Sequence, residues 1–127
     1  MTETLKKCVD YLKTEGFRIM AEKENHCAFK YQGKIYFIEN EAKDEMFLRF
    51  VLPNFYHIDD EEEEVKALRI INRISHEKKA IKLSFGSEKD MWATVELFID
   101  KNTDLPPIID RSLDIISNFS FQFVQDL

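Results

Sequence analysis

The spacing of hydrophobic positions divides this chain into segments with helical and with strand periodicity. The first segment has apolar residues three and four positions apart, as on one helix face: Leu5, Cys8, Val9 and Leu12. Gly16 follows the last of these turns, where glycine commonly caps a helix because it accepts a positive φ. The spacing therefore predicts a first helix from about Glu3 to Glu15 with one buried face.

The next segment alternates with a period of two, which is typical of β-strands. Its four alternating runs are residues 17–21, 27–31, 34–39 and 46–52. In the first run we expect Phe17, Ile19 and Ala21 to share a face. Gln32-Gly33 predicts a tight hairpin between the second and third runs, since Gly supplies the positive φ that such turns require. Proline cannot donate to a strand ladder, so we expect Pro53 to end the fourth strand of an antiparallel meander.

A second helix and a second hairpin follow. We expect the helix to begin near Asp59 or Asp60, because a carboxylate there accepts free backbone N–H groups and opposes the positive helix end. Its predicted buried stripe consists of Val65, Leu68, Ile71 and Ile74, widened by Ala67 and Ile70. Two alternating runs, 81–85 and 91–99, are then joined by a five-residue loop that contains Gly86 and favours a hairpin.

The tail predicts a third helix. Pro106 and Pro107 suit a first helical turn, and the apolar residues behind them keep helical spacing through Phe123. These signals predict one helix of about twenty residues. The element order is α-ββββ-α-ββ-α. It predicts one α+β domain over residues 1–127, in which a bent antiparallel sheet of about six strands carries helices on one face.

Charge and composition argue against several classes of function. The formal net charge is −6, from 24 acidic and 18 basic side chains, and no basic run is present to bind the phosphates of a nucleic acid. No apolar run approaches the roughly 20 residues that span a bilayer, and residues 1–7 lack a signal-peptide core. Two cysteines, Cys8 and Cys27, suit a reducing compartment. We therefore expect a cytoplasmic protein that binds neither nucleic acid nor membrane.

Several segments resemble the YbjN-like family, whose fold is similar to that of type III secretion chaperones. The resemblance lies in Ile71-Asn72-Arg73-Ile74, Lys79 to Leu83, Met91 to Phe98 and Arg111-Ser112-Leu113-Asp114. It implies the same α+β fold without a catalytic site. It also implies a homodimer that holds an extended segment of a partner protein, although proteins of one fold need not share one role.

The residues that might perform chemistry do not form a recognisable site. The acidic run from Asp59 to Glu64 follows His57, but it contains no Gly, and a helix would spread its carboxylates around the axis. His26 and Cys27 are adjacent in a predicted strand and should point to opposite faces, so the imidazole would not activate the thiol. We therefore expect no metal, no cofactor and no enzymatic activity.

The aromatic residues exceed what one side of the sheet can bury. If Ala93, Val95 and Leu97 face the helices, then Trp92 and Phe98 face the other way. We predict that Trp92, Phe98, Phe47 and Tyr36 contact a partner, with Phe37 as the alternative to Tyr36. The leading hypothesis is a non-catalytic protein-binding or chaperone-like module that uses an apolar face for dimerisation or for capture of a partner segment. The alternative is a small-ligand-binding protein or enzyme with a pocket between the second helix and the sheet.

Overall fold

Three helices and six strands follow one another in the order α-ββββ-α-ββ-α, as the sequence predicts. The computed structural model describes all residues from 1 to 127. The helices are α1 (Glu3–Thr14), α2 (Glu61–Glu77) and α3 (Leu105–Asp126). The strands are β1 (Arg18–Glu22), β2 (His26–Tyr31), β3 (Lys34–Glu39), β4 (Phe47–His57), β5 (Ile81–Phe85) and β6 (Asp90–Phe98). The predicted α+β class is therefore confirmed.

All six strands form one antiparallel sheet in the order β1-β2-β3-β4-β6-β5. The first four strands make the predicted meander, and β6 lies between β4 and β5. Gln32 and Gly33 both have positive φ, 50° and 77°, which is the conformation of the tight hairpin turn expected there. Each strand therefore presents alternate residues to the two faces of the sheet.

The helices cover one face of this sheet and enclose a core of 26 buried residues. Asp60 caps α2 by accepting the N–H of Glu63, so the predicted helix start is confirmed. Phe123 near the end of α3 is fully buried, which explains why the tail stays helical through its last turns. None of the three helices combines the length and apolarity needed to cross a bilayer.

The predicted common face of Phe17, Ile19 and Ala21 is wrong. Ile19 pairs with Phe29, whereas Ala21 pairs with Ala28, and the register shifts between the two pairs. Phe29 and Ala28 are adjacent and point to opposite faces. The extra residue of this bulge therefore moves Ala21 to the face opposite Ile19.

The prediction that Pro53 ends the fourth strand is also wrong, because β4 continues to His57. The pairing of β3 with β4 stops at Phe37 and Val51, so the strand edge beyond Val51 has no neighbour in β3. On the other side, the register with β6 shifts between Leu52 and Tyr56. A proline is tolerated there because no regular ladder requires its missing N–H.

The buried stripe of α2 differs from the predicted one. Val65 and Leu68 are 49% and 51% exposed, whereas Ala67, Ile70 and Ile74 are buried. The apolar residues of α2 form two overlapping stripes, and helical periodicity favours both. The small side chain of Ala67 lets the helix approach the sheet closely, and this orientation leaves Val65 and Leu68 in solvent.

Candidate partner-binding face

The sheet face opposite the helices is not covered by any of them, and we call it the open face. Its side chains alternate with the core-facing residues of β3, β4, β5 and β6. They are Phe37, Glu39, Phe47, Arg49, Val51, Pro53, Lys82, Ser84, Trp92, Thr94, Glu96 and Phe98. The cross-strand pair Phe47 and Phe98 lies at one end of this face, and Trp92 lies opposite Ser84 towards the other end.

Three of the four predicted contact residues lie on the open face. Phe98 is 84% exposed, and its ring centroid lies 5.9 Å from that of the half-buried Phe47. Trp92 is also half-buried. These aromatic side chains remain accessible even though the core of the domain is filled.

Tyr36 is the exception, and the prediction that it contacts a partner on this face is wrong. It is 1% exposed and packs in the core, with its ring centroid 5.9 Å from that of Phe29. Phe37 occupies the open face instead, opposite Val51 of β4. Residues 35–38 are apolar at every position, so their alternation does not reveal which face is buried.

Trp92 is held in place by two residues that sequence reasoning missed. Its indole N–H donates a hydrogen bond of 2.9 Å to the side-chain oxygen of Asn54, which has a φ of 52° in the irregular part of β4. The indole also lies against Gly86, where a Cβ atom would sit 2.7 Å from Cδ1 of the ring. The sequence signals were an Asn beside a proline and a single Gly in the β5–β6 loop.

A compensated group of charges occupies the centre of the open face. Arg49 donates a hydrogen bond of 3.1 Å from Nε to a carboxylate oxygen of Glu96, and its Nη2 lies 3.0 Å from the same oxygen. Its Nη1 lies 3.5 Å from a carboxylate oxygen of Glu39. Lys82 forms an ion pair with Glu96. The bond from Lys82, and then that from Arg49, lower the pKa of the Glu96 carboxyl. The two cations are thus matched by two anions from the same face.

Two depressions adjoin this charged centre. The larger, about 490 Å³ in volume, we call the aromatic depression. Its lining residues are His26, Phe37, Glu39, Arg49, Val51, Pro53, Asn54 and Trp92. The smaller, about 160 Å³, we call the acidic depression. Its lining residues are Glu39, Asn40, Glu41, Asp44, Phe47 and Arg49. Glu39 and Arg49 line both, so the two depressions are neighbours.

The residues considered for catalysis are separated by the fold. Cys27 is fully buried in the core, and the adjacent His26 lines the aromatic depression on the other face, as the alternation predicts. Burial raises the pKa of the Cys8 thiol to about 12 and that of Cys27 to about 11. His57 bonds instead to Asp90, 2.8 Å away, which raises the pKa of the imidazole. No group of three or more His, Cys, Asp or Glu side chains has the arrangement of a metal site.

The predicted pocket between α2 and the sheet stays a prediction. Ala67, Ile70 and Ile74 face the sheet and are buried in the core. Neither depression of the open face includes a residue of α2. We take the open face as the candidate site because it gathers accessible aromatic and charged side chains.

Comparisons of this chain with protein-family models, with curated proteins and with solved structures find no match. The resemblance to the YbjN-like family therefore stays a prediction.

Proposed function

We propose that this chain is a non-catalytic protein-binding module that holds a partner through the open face. The observation that carries the proposal is the exposure of Phe47, Phe98 and Trp92 on one uncovered sheet face. Burial of apolar area gives roughly 25 cal/mol per Å², so covering these rings is favourable. Exposed aromatic surface on a folded domain is typical of interaction sites.

The shape of the open face favours a protein over a small molecule. Small-molecule sites are usually deep clefts that enclose most of the ligand, whereas these depressions lie on a sheet surface. Aromatic and arginine side chains at the centre of a contact contribute most of the binding energy in protein interfaces. The face offers both in Trp92 and Arg49, and the hydrogen bonds of these two side chains fix them before binding.

We place this binding activity in the cytoplasm. Both cysteines are free and buried, which suits a protein that folds without disulfides in a reducing compartment. The proposal needs neither a cofactor nor a metal, because its energy comes from buried apolar area and paired charges.

The test is a comparison of two double variants. Phe47→Ser with Phe98→Ser makes one end of the open face polar. Leu68→Ser with Phe121→Ser removes two exposed apolar side chains from the helical layer, where Phe121 is 65% exposed. Partners captured by the wild type would be identified, purified and titrated against both variants.

We expect the open-face variant to bind at least about tenfold more weakly, a loss of roughly 1.4 kcal/mol. The helical-layer variant should bind like the wild type. Equal affinity of the wild type and the open-face variant would contradict the proposal. Circular dichroism and urea unfolding would establish that both variants are folded.

Homodimerisation through the same face is a second candidate function. The specific observation is that Arg49 and Lys82 are balanced on the same face by Glu39 and Glu96. At this balanced centre of the face, a two-fold contact between two copies brings together no excess of like charge. Sedimentation velocity over a range of concentrations should show a dimer that dissociates in the Phe47→Ser, Phe98→Ser variant. A monomer at every concentration would contradict dimerisation and leave capture of another protein in place.

A further inference from the structure

The acidic depression has carboxylates that no cation of this chain neutralises. Glu41 and Asp44 are exposed and form no ion pair, whereas Glu39 is paired with Arg49. Three carboxylates and one guanidinium line the depression, which gives it a formal charge of −2. Phe47 contributes an aromatic wall beside them.

The backbone that carries these carboxylates is fixed from below. The buried side chain of Asn40 donates hydrogen bonds of 2.9 and 3.0 Å to the carbonyl oxygens of Glu45 and Phe47. These bonds close the segment that holds Glu41 and Asp44. The acidic groups are therefore presented to solvent by an anchored loop, which lowers the ordering cost of binding.

The remainder of the open face has no complementary site for an anion. Arg49 and Lys82 are both engaged by Glu96, so neither cation is free to attract a carboxylate of a partner. The aromatic depression offers the apolar surfaces of Trp92, Phe37 and Pro53. Charge therefore favours a cation at one end of the face, and apolar packing favours a hydrophobic side chain at the other.

The distance between the two ends suits a short extended segment. Trp92 lies at about the same height along the sheet as Pro53. Val51 and Leu52 of β4 pair with Thr94 and Ala93 of β6, so the next residue on each strand is Pro53 and Trp92. From Phe47 to Pro53 the strand rises by about 20 Å, at roughly 3.3 Å per residue. Two side chains of an extended segment that reach both depressions are then about six residues apart, an even spacing that places both on the same side of the segment.

We infer that the open face recognises a partner segment with a Lys or Arg about six residues from a large apolar residue, by the same strand spacing. The cation enters the acidic depression beside Phe47 and pairs with the carboxylates of Glu41 and Asp44. The apolar side chain packs on Trp92. This inference rests on the proposed binding function and specifies the chemistry of the partner.

The test is a selection of random displayed peptides on the immobilised protein. We expect the bound peptides to be enriched in a basic residue and an apolar residue at this spacing. A selected peptide is then titrated against the double variant Glu41→Lys, Asp44→Lys. The matched control is Glu15→Lys, Glu77→Lys, which changes the net charge equally at exposed helix ends away from the open face.

We expect the Glu41→Lys, Asp44→Lys variant to bind about tenfold more weakly and the control variant to keep most of its affinity. Wild-type affinity should also fall as salt is added, because exposed charges are screened. Peptides that need Phe47 and Phe98 but show no basic preference would overturn this inference and leave the proposed function standing. Peptides that bind equally well to the Phe47→Ser, Phe98→Ser variant would contradict both.

Discussion

The indole ring of Trp92 lies directly on the backbone of Gly86. A Cβ atom at Gly86 would sit 2.7 Å from Cδ1 of the ring and closer still to Nε1. The same Nε1 donates its hydrogen bond to Asn54. A glycine in the β5–β6 loop and an asparagine in the irregular part of β4 together set the position of the largest aromatic side chain on the open face.

Gly86→Ala should therefore displace Trp92. The added methyl group overlaps the ring, so the indole must move, and its bond to Asn54 should be lost. Trp92 is the only tryptophan, so its fluorescence reports this movement without interference. We expect emission shifted to longer wavelength and weaker binding of the partner. Ser87→Ala, in the same exposed loop, is the matched control, and an emission spectrum unchanged by Gly86→Ala would contradict this packing.

The two cysteines should be inert in the folded protein. Burial raises the pKa of Cys8 from 9.0 to about 12, so at neutral pH its thiolate fraction falls by about a thousandfold. Burial likewise raises the pKa of the Cys27 thiol from 9.0 to about 11. Labelling with a thiol reagent at pH 8 should be negligible in native buffer and complete in denaturant. Rapid native labelling of either thiol would show that the core opens there.

Stability should fall at alkaline pH for the same reason. In the unfolded chain both thiols ionise near pH 9, whereas in the folded protein they remain protonated until about pH 11 to 12. The unfolded state therefore loses protons first, and the stabilisation present below pH 9 is lost as pH rises through this range. Urea unfolding between pH 8 and 11 measures the slope. Cys8→Ala should reduce that slope, and an identical slope in this variant would contradict the assignment.

Substitution of Asn40 should lower the free energy of unfolding more than substitution of most other polar residues. It receives a hydrogen bond from the Thr2 hydroxyl and donates to the carbonyl oxygens of Glu45 and Phe47. Asn40→Ala leaves these buried groups without partners, so we expect a loss of about 2–3 kcal/mol in the free energy of unfolding. Asn118→Ala, at an exposed position of α3, should be nearly neutral. Urea denaturation compares the two, and equal stabilities would be inconsistent with the Asn40 network.

The sequence predicts element order well because hydrophobic spacing changes clearly between helical and alternating segments. It predicts orientation less well where a segment is apolar on both sides. Ile35 to Ile38 is such a run, and only packing against Phe29 decides that Tyr36 is buried and Phe37 is not. The acidic depression depends on residues from two strands and a loop, and no local pattern brings those together. Tertiary contacts decide these features.

The orientation of α2 gives a further prediction. Leu68 is 51% exposed, so Leu68→Ala should cost no more than about 0.5 kcal/mol, as for other surface substitutions. Ile74 is fully buried, so Ile74→Ala should cost about 2–5 kcal/mol through lost burial and a residual cavity. Chemical denaturation of both variants measures the difference. A larger loss for Leu68→Ala would mean that the other stripe of α2 faces the core.

Site-specific photocrosslinking tests the central claim most directly, because two exposed phenylalanines lie on opposite layers of the molecule. Phe98 on the open face is 84% exposed, and Phe121 on α3 is 65% exposed. A photoreactive phenylalanine analogue would replace each in turn in cells that naturally make the protein. We predict that irradiation yields a covalent protein adduct from position 98 and none from position 121. Adducts from position 121 alone, or from neither position, would contradict binding through the open face.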